Sequence, residues 1–308
     1  MERAPPFVAV LAGPTASGKS ALAVEVALRL GGEILNADSQ QVVRGLDVGT
    51  AKPSAAERAA VPHHLLDLVE PGEGMDAARW VALADRAIAD VAGRGRLPVV
   101  VGGTGLYVRA LLHGVVAAPG RDPALRARLE EEAARHGRAA LHRRLAAVDP
   151  AAAARIGEND LVRVVRALEI AASGRTQSEL FAAHGFAPRR YRYRLLALDP
   201  PREGLHRRIG ERAAAIVRGG LLDEARALVA RFGGAQPKLP IGYADAVACV
   251  RGEIDAATLE ARVAALHRQY ARRQVVWLRR EQDVEWLAPP FDPAAVADGV
   301  AAAWRTAP

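Results

Sequence analysis

Apolar positions along this chain fall into two regimes. Over the first ~120 residues, short continuous apolar runs alternate with stretches whose apolar residues recur at helical spacing, the arrangement that gives a parallel sheet flanked by helices. Phe7–Ala12 (FVAVLA) predicts a first strand and Ala21–Leu30 (ALAVEVALRL) a helix. Gly32–Asp38 (GEILNAD) predicts a second, short strand ending in a carboxylate. Residues 76–93 predict an Ala-rich amphipathic helix, and Leu97–Val101 (LPVVV) a strand of the buried parallel type. That strand runs into GGTGLYVRALL, a glycine turn followed by a helix. Strand–glycine–helix, met first at residues 7–30, therefore occurs twice. This places both turns at the C-terminal edge of one sheet, where α/β proteins bind ligands.

From Asp122 to about Ala187 the strand signals vanish and charged helices dominate, as in PALRARLEEEAARHGRAALHRRLAAV. This predicts a helical insertion, 122–187, within a core made of 1–121 and 188–308. Tyr193–Leu198 (YRLLAL) restores a strand. A mostly helical stretch of ~90 residues follows, with GGAQPK at 233–238 as its clearest loop.

Composition narrows the classes. The 308 residues suffice for a large core, in one big domain or two smaller ones. Half the residues are hydrophobic and a quarter charged, as in a folded soluble protein. No apolar stretch reaches the ~18 residues that span a bilayer, and the N-terminal apolar run is too short for a signal peptide. Aromatics are only 5%, so the core must rest on Leu, Val, Ile and Ala. A single cysteine, Cys249, excludes an internal disulfide and a Cys-based zinc site, and is most simply a small buried apolar residue. The expectation is a cytosolic protein. The net charge is +7, with arginine far outnumbering lysine. Any one arginine is most simply part of a solvated helix face; clustering is what favours nucleic acid.

Residues 13–20, GPTASGKS, fit G-x-x-x-x-G-K-[ST], the loop that cradles phosphates, in the strand–loop–helix setting this motif needs. Gly13 and Gly18 let the backbone curl around Pro14, Thr15, Ala16 and Ser17, so that successive N–H groups point at one anion. Lys19 supplies a positive charge, the Ser20 hydroxyl suits Mg²⁺, and the helix adds its positive dipole end. The motif specifies a di- or triphosphate. It leaves open whether that phosphate is a nucleotide and whether it is hydrolysed.

Asp38-Ser39-Gln40-Gln41 is the second informative stretch. A carboxylate ending a strand beside such a loop has three readings: a Mg²⁺ ligand, a general base, or a helix N-cap. Ser39 and Gln40 add groups of the kind that read a base edge. His63 and His64, adjacent and without a third ligand nearby, make a poor metal site. They are expected to orient the loop beneath the site, with Asp67 supporting them.

GPTASGKS, the DSxQ run with VRGLDVGTAKP, HHLLD at 63–67 and GGTGLY at 102–107, in this order and spacing, together resemble the tRNA dimethylallyltransferase family. NDLVRVVRALE (159–169), LPIGY (239–243) and RRQVVWLRR (272–280) extend the resemblance over nearly the whole chain. It implies an α/β, P-loop NTPase-like parallel sheet flanked by helices, with a helical insertion domain. It also implies transfer of a dimethylallyl group from dimethylallyl diphosphate to the exocyclic amine of adenosine 37, beside the anticodon, in tRNAs reading codons that begin with U. The loop at 13–20 would then hold the donor's diphosphate, with Mg²⁺ at Ser20 and no ATP hydrolysis. No second acidic motif follows LPVVV, where many NTPases place one; Gly102, Gly103 and Thr104 stand there instead.

By this resemblance Asp38 accepts a proton from the amine, Thr104 fixes that amine, and Arg212 reaches the diphosphate. A solvated helix face is the rival reading of Arg212. Ser39, Gln40 and Gln41 are the candidate base contacts, alongside Asp38 and Thr104. Arg126, Arg163 and Arg166 match positions that contact the anticodon stem-loop, and Gly242 and Tyr243 fall in a further tRNA-contacting motif. Three departures stand out: Val43 where many members carry Tyr, Leu161-Val162 where Pro-Gln is usual, and Ala244-Asp245 where a basic or amide residue is common.

Residues 261–280 carry Arg262, Arg268, Arg272, Arg273, Arg279 and Arg280 and no acid, with Arg268 and Arg272 at i,i+4 on one helix face. Phosphate-backbone contact is the better reading of that density, and Trp277 reads as a core anchor. A bacterial-type, monomeric enzyme is expected. An adenylate isopentenyltransferase would need neither the insertion nor the Arg-rich helix. A small-molecule P-loop kinase would need an NTP lid and acidic metal ligands, and a GTPase-like module an N-K-x-D string that is not present.

Overall fold

The apolar runs assemble into one parallel sheet. The computed structural model describes residues 5–185, 189–233 and 238–306. Strand β1 (Phe7–Ala12) leads through the first glycine loop into α1 (Lys19–Leu30), and β2 (Glu33–Asn36) follows. Next come α2 (Ala55–Ala60), the two-residue β3 (His63–His64), α3 (Ala77–Gly93), β4 (Pro98–Gly102) and α4 (Gly105–His113). Helices α5 (Pro123–His136), α6 (Arg138–Val148), α7 (Pro150–Arg155), α8 (Leu161–Ala171) and α9 (Gln177–His184) precede β5 (Arg192–Leu198). Then follow α10 (Arg202–Ile216), a π-helical turn at Val217–Leu221, α11 (Leu222–Phe232), α12 (Tyr243–Val250), α13 (Ala256–Leu278), β6 (Val284–Leu287) and α14 (Pro293–Arg305).

The sheet order is β3-β2-β4-β1-β5-β6, and every pair is parallel. All six residues of β1 are buried because helices cover both faces of the sheet. Phe7, Ala9 and Leu11 join Leu22, Val26, Val296 and Val300 of α1 and α14. Val8, Val10 and Ala12 join Trp80, Ile88, Tyr107 and Leu111 of α3 and α4. A period of two between two apolar layers is what makes the strand read as a continuous apolar run. Trp80 and Tyr107 stack with ring centroids 4.6 Å apart.

Strand β2 ends at Asn36 rather than at Asp38. The Ala37 N–H still donates to Val101, but the Ala37 carbonyl accepts from Thr104, and Asp38 turns the chain by accepting from the Gln40 N–H. Two strands, β3 and β6, lie where no apolar run announced them. Cys249 is half-buried and packs against the edge of the core, so it is less enclosed than expected. Of the GGAQPK loop, residues 234–237 lie outside the described residues.

The chain forms two compact units, Met1–Leu112 with Arg190–Pro308, and His113–Arg189. Helices are the only regular elements among the second unit's described residues, and they pack around Leu129, Leu141, Leu145, Ile156, Val164, Val165 and Leu168. Four of its helices, α5, α7, α8 and α9, start at side-chain caps: Asp122 before Pro123, Asp149 before Pro150, Asp160 and Thr176.

Candidate active site

The first unit holds a pocket at the C-terminal ends of β1, β2 and β4, lined among others by Thr15, Lys19, Ser20, Asp38, Arg212 and His267. The loop from Gly13 bends through Ala16 and Gly18, both with left-handed backbone (φ 61° and 94°), before α1 begins. Two C-terminal helices grip it. Gln274 of α13 accepts from the Thr15 N–H at 2.7 Å and donates to the Gly103 carbonyl at 3.1 Å. From α10, Arg208 donates to the Ala16 carbonyl at 2.9 Å and Arg212 to the Thr15 hydroxyl at 3.4 Å. Arg212 is thus part of the site and not a solvated face.

The second glycine turn is equally constrained. A methyl at Gly102 would overlap the Ala37 backbone, one at Gly103 the Gln274 amide, and one at Gly105 the Trp277 ring. Each glycine is a space that another part of the site fills. The turn delivers Thr104, whose Oγ1 accepts from the Ser39 N–H at 2.8 Å and lies 3.1 Å from Ser39 Oγ. The Tyr270 hydroxyl is 3.4 Å away. Trp277 packs into the core edge beneath Arg109, as an anchor.

Charge in the pocket is unusually poised. Burial pushes the Lys19 ammonium down to about 8, and the Arg212 charge adds to this while Asp38 opposes it. Burial pushes the Asp38 carboxyl up, against the pull of Lys19, the Gln40 N–H and Arg212. No helix starts until Ala55, so Asp38 is not a helix N-cap; it caps only the Gln40 turn at 2.9 Å. A carboxylate with a raised pKa facing two cations suits proton transfer, and the cations suit a multiply charged anion.

Ser20 is exposed in the same pocket. Among the described residues no three His, Cys, Asp or Glu side chains form a metal cluster. A hydroxyl, a nearby carboxylate and a phosphate-bearing ligand fit Mg²⁺, which takes oxygen ligands and is held largely by substrate phosphates and waters.

Several expected contacts lie elsewhere. Gln40 accepts from the Ile241 N–H at 2.8 Å, and Gln41 donates to the Thr50 and Ala51 carbonyls at 3.2 and 2.8 Å. Bidentate reading of a base by either amide means breaking these bonds. Gly242 and Tyr243 are both buried, with Tyr243 fully enclosed, which argues against direct contact of the Tyr243 ring with RNA. The Tyr243 hydroxyl donates to Glu224 at 2.6 Å, and its ring fills the space beside Gly49. Asp67 does not support the histidines; it pairs with Lys52 at 2.5 Å and Arg58 at 3.7 Å. His63 lines the pocket, while His64 is tied to Glu33 at 2.7 Å.

Arg268 and Arg272 lie outside this pocket and line a second cleft with Arg202, His206 and Arg279. Neither has an ion-pair partner among the described residues, but Arg262 does, in Asp245 of α12 at 3.1 Å. The arginine run is therefore partly compensated from another helix. In the helical unit Arg126 pairs with buried Glu169 at 2.5 Å, Arg163 with Asp160 at 2.5 Å, and Arg166 donates to the Pro119 carbonyl at 2.6 Å.

Four site residues were not anticipated: Arg208, His267, Tyr270 and Gln274. The last three stand at i, i+3 and i+7 of α13, a polar stripe on its buried side, and that spacing was a usable signal.

The IPP transferase family model matches residues 41–281, and an isopentenyl transferase model matches residues 6–71. A tRNA dimethylallyltransferase of Anaeromyxobacter sp. (strain Fw109-5) is 75% identical over 284 residues, which is 92% of this chain and 95% of the relative. Among solved structures, the tRNA isopentenylpyrophosphate transferase of Bacillus halodurans is 35% identical with a TM-score of 0.70, covering 98% of this chain and 97% of that one. A eukaryotic dimethylallyltransferase acting on tRNA is 27% identical with a TM-score of 0.75, covering 92% and 74%.

Proposed function

Because this chain belongs to the IPP transferase family, we propose that its pocket transfers a dimethylallyl group from dimethylallyl diphosphate to the exocyclic N6 amine of adenosine 37 in tRNA. The supporting observation is that Asp38, Lys19, Ser20 and Arg212 line one pocket, while Thr104 is bonded to the residue after Asp38. The N6 lone pair attacks the allylic C1, the C1–O bond breaks, and the diphosphate departs. Asp38 takes the N6 proton, and Thr104 holds the amine in line. Lys19, Arg212 and the backbone N–H groups of Gly18, Lys19 and Ser20, where the loop enters α1, stabilise the charge that develops on the leaving oxygen. Ser20 would hold Mg²⁺, which would further neutralise the diphosphate.

Reaching N6 requires the base to leave its stack, which costs least in an anticodon loop. On this reading Ser39 offers the hydroxyl nearest Thr104 for base contact. Arg126, Arg163 and Arg166, with Arg268 and Arg272, contact phosphates of the stem-loop. Codons beginning with U are the expected targets. The protein is read as a cytoplasmic monomer; among the described residues no helix is long and apolar enough to cross a membrane.

Labelled dimethylallyl diphosphate offered with tRNA and, separately, with AMP tests the reading. Label in tRNA supports it. Label in AMP alone points to an adenylate isopentenyltransferase, and label in neither removes the class.

A further inference from the structure

His267 is a buried polar residue that the chemistry above leaves without a task. It is 8% exposed, lines the pocket, and its Nδ1 is buried with no hydrogen-bond partner among the described residues. Native interiors rarely leave such groups unpaired, because an unmet donor or acceptor costs stability. An exception inside a ligand pocket is explained most directly by a ligand that meets it.

The surroundings identify that ligand by its charge. His267 stands one turn before Tyr270 and two turns before Gln274, on the side of α13 that reaches Thr104, Gly103 and Thr15. Burial depresses the imidazole, and the charge of Arg212 of α10 adds to this, bringing it to about 4. The ring is therefore neutral near pH 7 and carries one N–H. Lys19 and Arg212 make the pocket cationic, with Asp38 as their nearest acid. A neutral N–H beside an arginine adds a directional donor for an anion without adding like-charge repulsion.

We propose that His267 is a positioning residue for the donor, giving a hydrogen bond to the diphosphate held between Lys19 and Arg212 and leaving that bond unmade in the free protein. This rests on the reading of the pocket as a diphosphate site. It adds a residue and a consequence: the free protein carries a stability defect that diphosphate binding repairs.

That consequence gives the test its discriminating power, since a structural histidine and a ligand-waiting one respond oppositely to an apolar replacement. Inorganic pyrophosphate with Mg²⁺ is titrated calorimetrically into the wild type, His267→Leu, His267→Gln and Lys19→Ala, and each free protein is melted. His267→Leu is expected to bind pyrophosphate roughly tenfold more weakly, the weight of one hydrogen bond to a charged group. Its melting temperature without ligand should equal or exceed the wild type's, and tRNA affinity should be unchanged. His267→Gln, which keeps an N–H donor, should recover part of the affinity.

Pyrophosphate affinity unchanged in both His267 variants overturns the proposal, as does a lower melting temperature in both, which would mark a structural histidine. Should His267→Leu not fold, His267→Gln alone decides on the same two readouts. A wild type that binds no pyrophosphate, or a Lys19→Ala that binds it normally, would instead overturn the diphosphate site itself.

Discussion

Gln274 and Thr15, 259 residues apart, meet through a 2.7 Å hydrogen bond from the Thr15 N–H to the Gln274 side-chain oxygen. The same amide donates to the Gly103 carbonyl, so one buried side chain fixes the distance between the two glycine turns. Gln274→Ala leaves both backbone groups unmet, at about 1–3 kcal/mol. Thermal melting should drop by several degrees, and KM for dimethylallyl diphosphate should rise more than KM for tRNA. Equal effects on both substrates would show that Gln274 does not act through the loop at 13–20.

The pH profile follows from Lys19 and Asp38. Free enzyme carries Lys19 charged below about pH 8. Above that value the ammonium is lost, so kcat/KM for dimethylallyl diphosphate should fall with a midpoint near 8. The Asp38 carboxyl is raised by burial, so the acidic limb should lie above the ordinary aspartate value of 3.8. Stability responds in its own way. Between about 8 and 10.5 the unfolded chain keeps the Lys19 proton that the folded chain has released, so the Lys19 contribution makes stability increase with pH across that window. Melting temperatures across pH 7.5–10, compared with Lys19→Met, isolate it.

Glu224 organises the loop that carries the GLDVGT string. Its carboxylate accepts from the N–H groups of Asp47, Val48 and Gly49 at 2.7, 2.8 and 3.1 Å, and from the Tyr243 hydroxyl. Glu224→Ala should cost about 2–3 kcal/mol and lower turnover through disorder of residues 47–51, where Gln41 is anchored. Tyr243→Phe should cost about 1 kcal/mol and leave tRNA affinity nearly unchanged. A large tRNA-binding defect in Tyr243→Phe would restore the direct RNA role that its burial argues against.

Arginines of the helical unit should separate by their partners. Arg126→Ala strands the buried Glu169 carboxylate, which then keeps only Arg166 at 3.6 Å, and should cost about 3 kcal/mol of stability. Arg163 is exposed beside Asp160, so Arg163→Ala should leave melting unchanged. Both should weaken tRNA binding, and Arg163→Ala should lower the slope of log affinity against log salt by about one. A salt slope unaltered by Arg163→Ala removes that residue from the phosphate contacts.

Much of the frame was legible because burial on both faces writes strands as apolar runs. Phe7–Ala12 matches its strand residue for residue, and Leu97–Val101 lies one residue from its own. Strands β3 and β6 were hidden for the same physical reason. The first is only His63–His64, and the second, Val284–Leu287, is an edge strand with partly exposed side chains that needs no apolar run. In the site, residues fixed by local motif were readable: the loop at 13–20, Asp38 and Thr104. Arg208, Glu224 and Gln274 act across 171 or more residues of sequence in every contact to the two glycine turns or the loop at 47–49, and no local pattern encodes such pairings; the polar stripe of α13 marks only the helix face, not its partners. Tyr243 misled for the opposite reason, since its position in a motif says nothing about which way its ring faces.

The central claim is that the loop at 13–20 clamps a prenyl donor whose diphosphate departs from carbon, with Asp38 taking the amine proton. Pyrophosphate release and prenyl transfer to tRNA, measured together with Mg²⁺ and without ATP, test it most directly. The account predicts one pyrophosphate per adenosine modified and at least a hundredfold slower transfer in Asp38→Asn (on the order of a general base's contribution) with tRNA affinity retained. Transfer that requires ATP hydrolysis, or an Asp38→Asn that turns over normally, would contradict it.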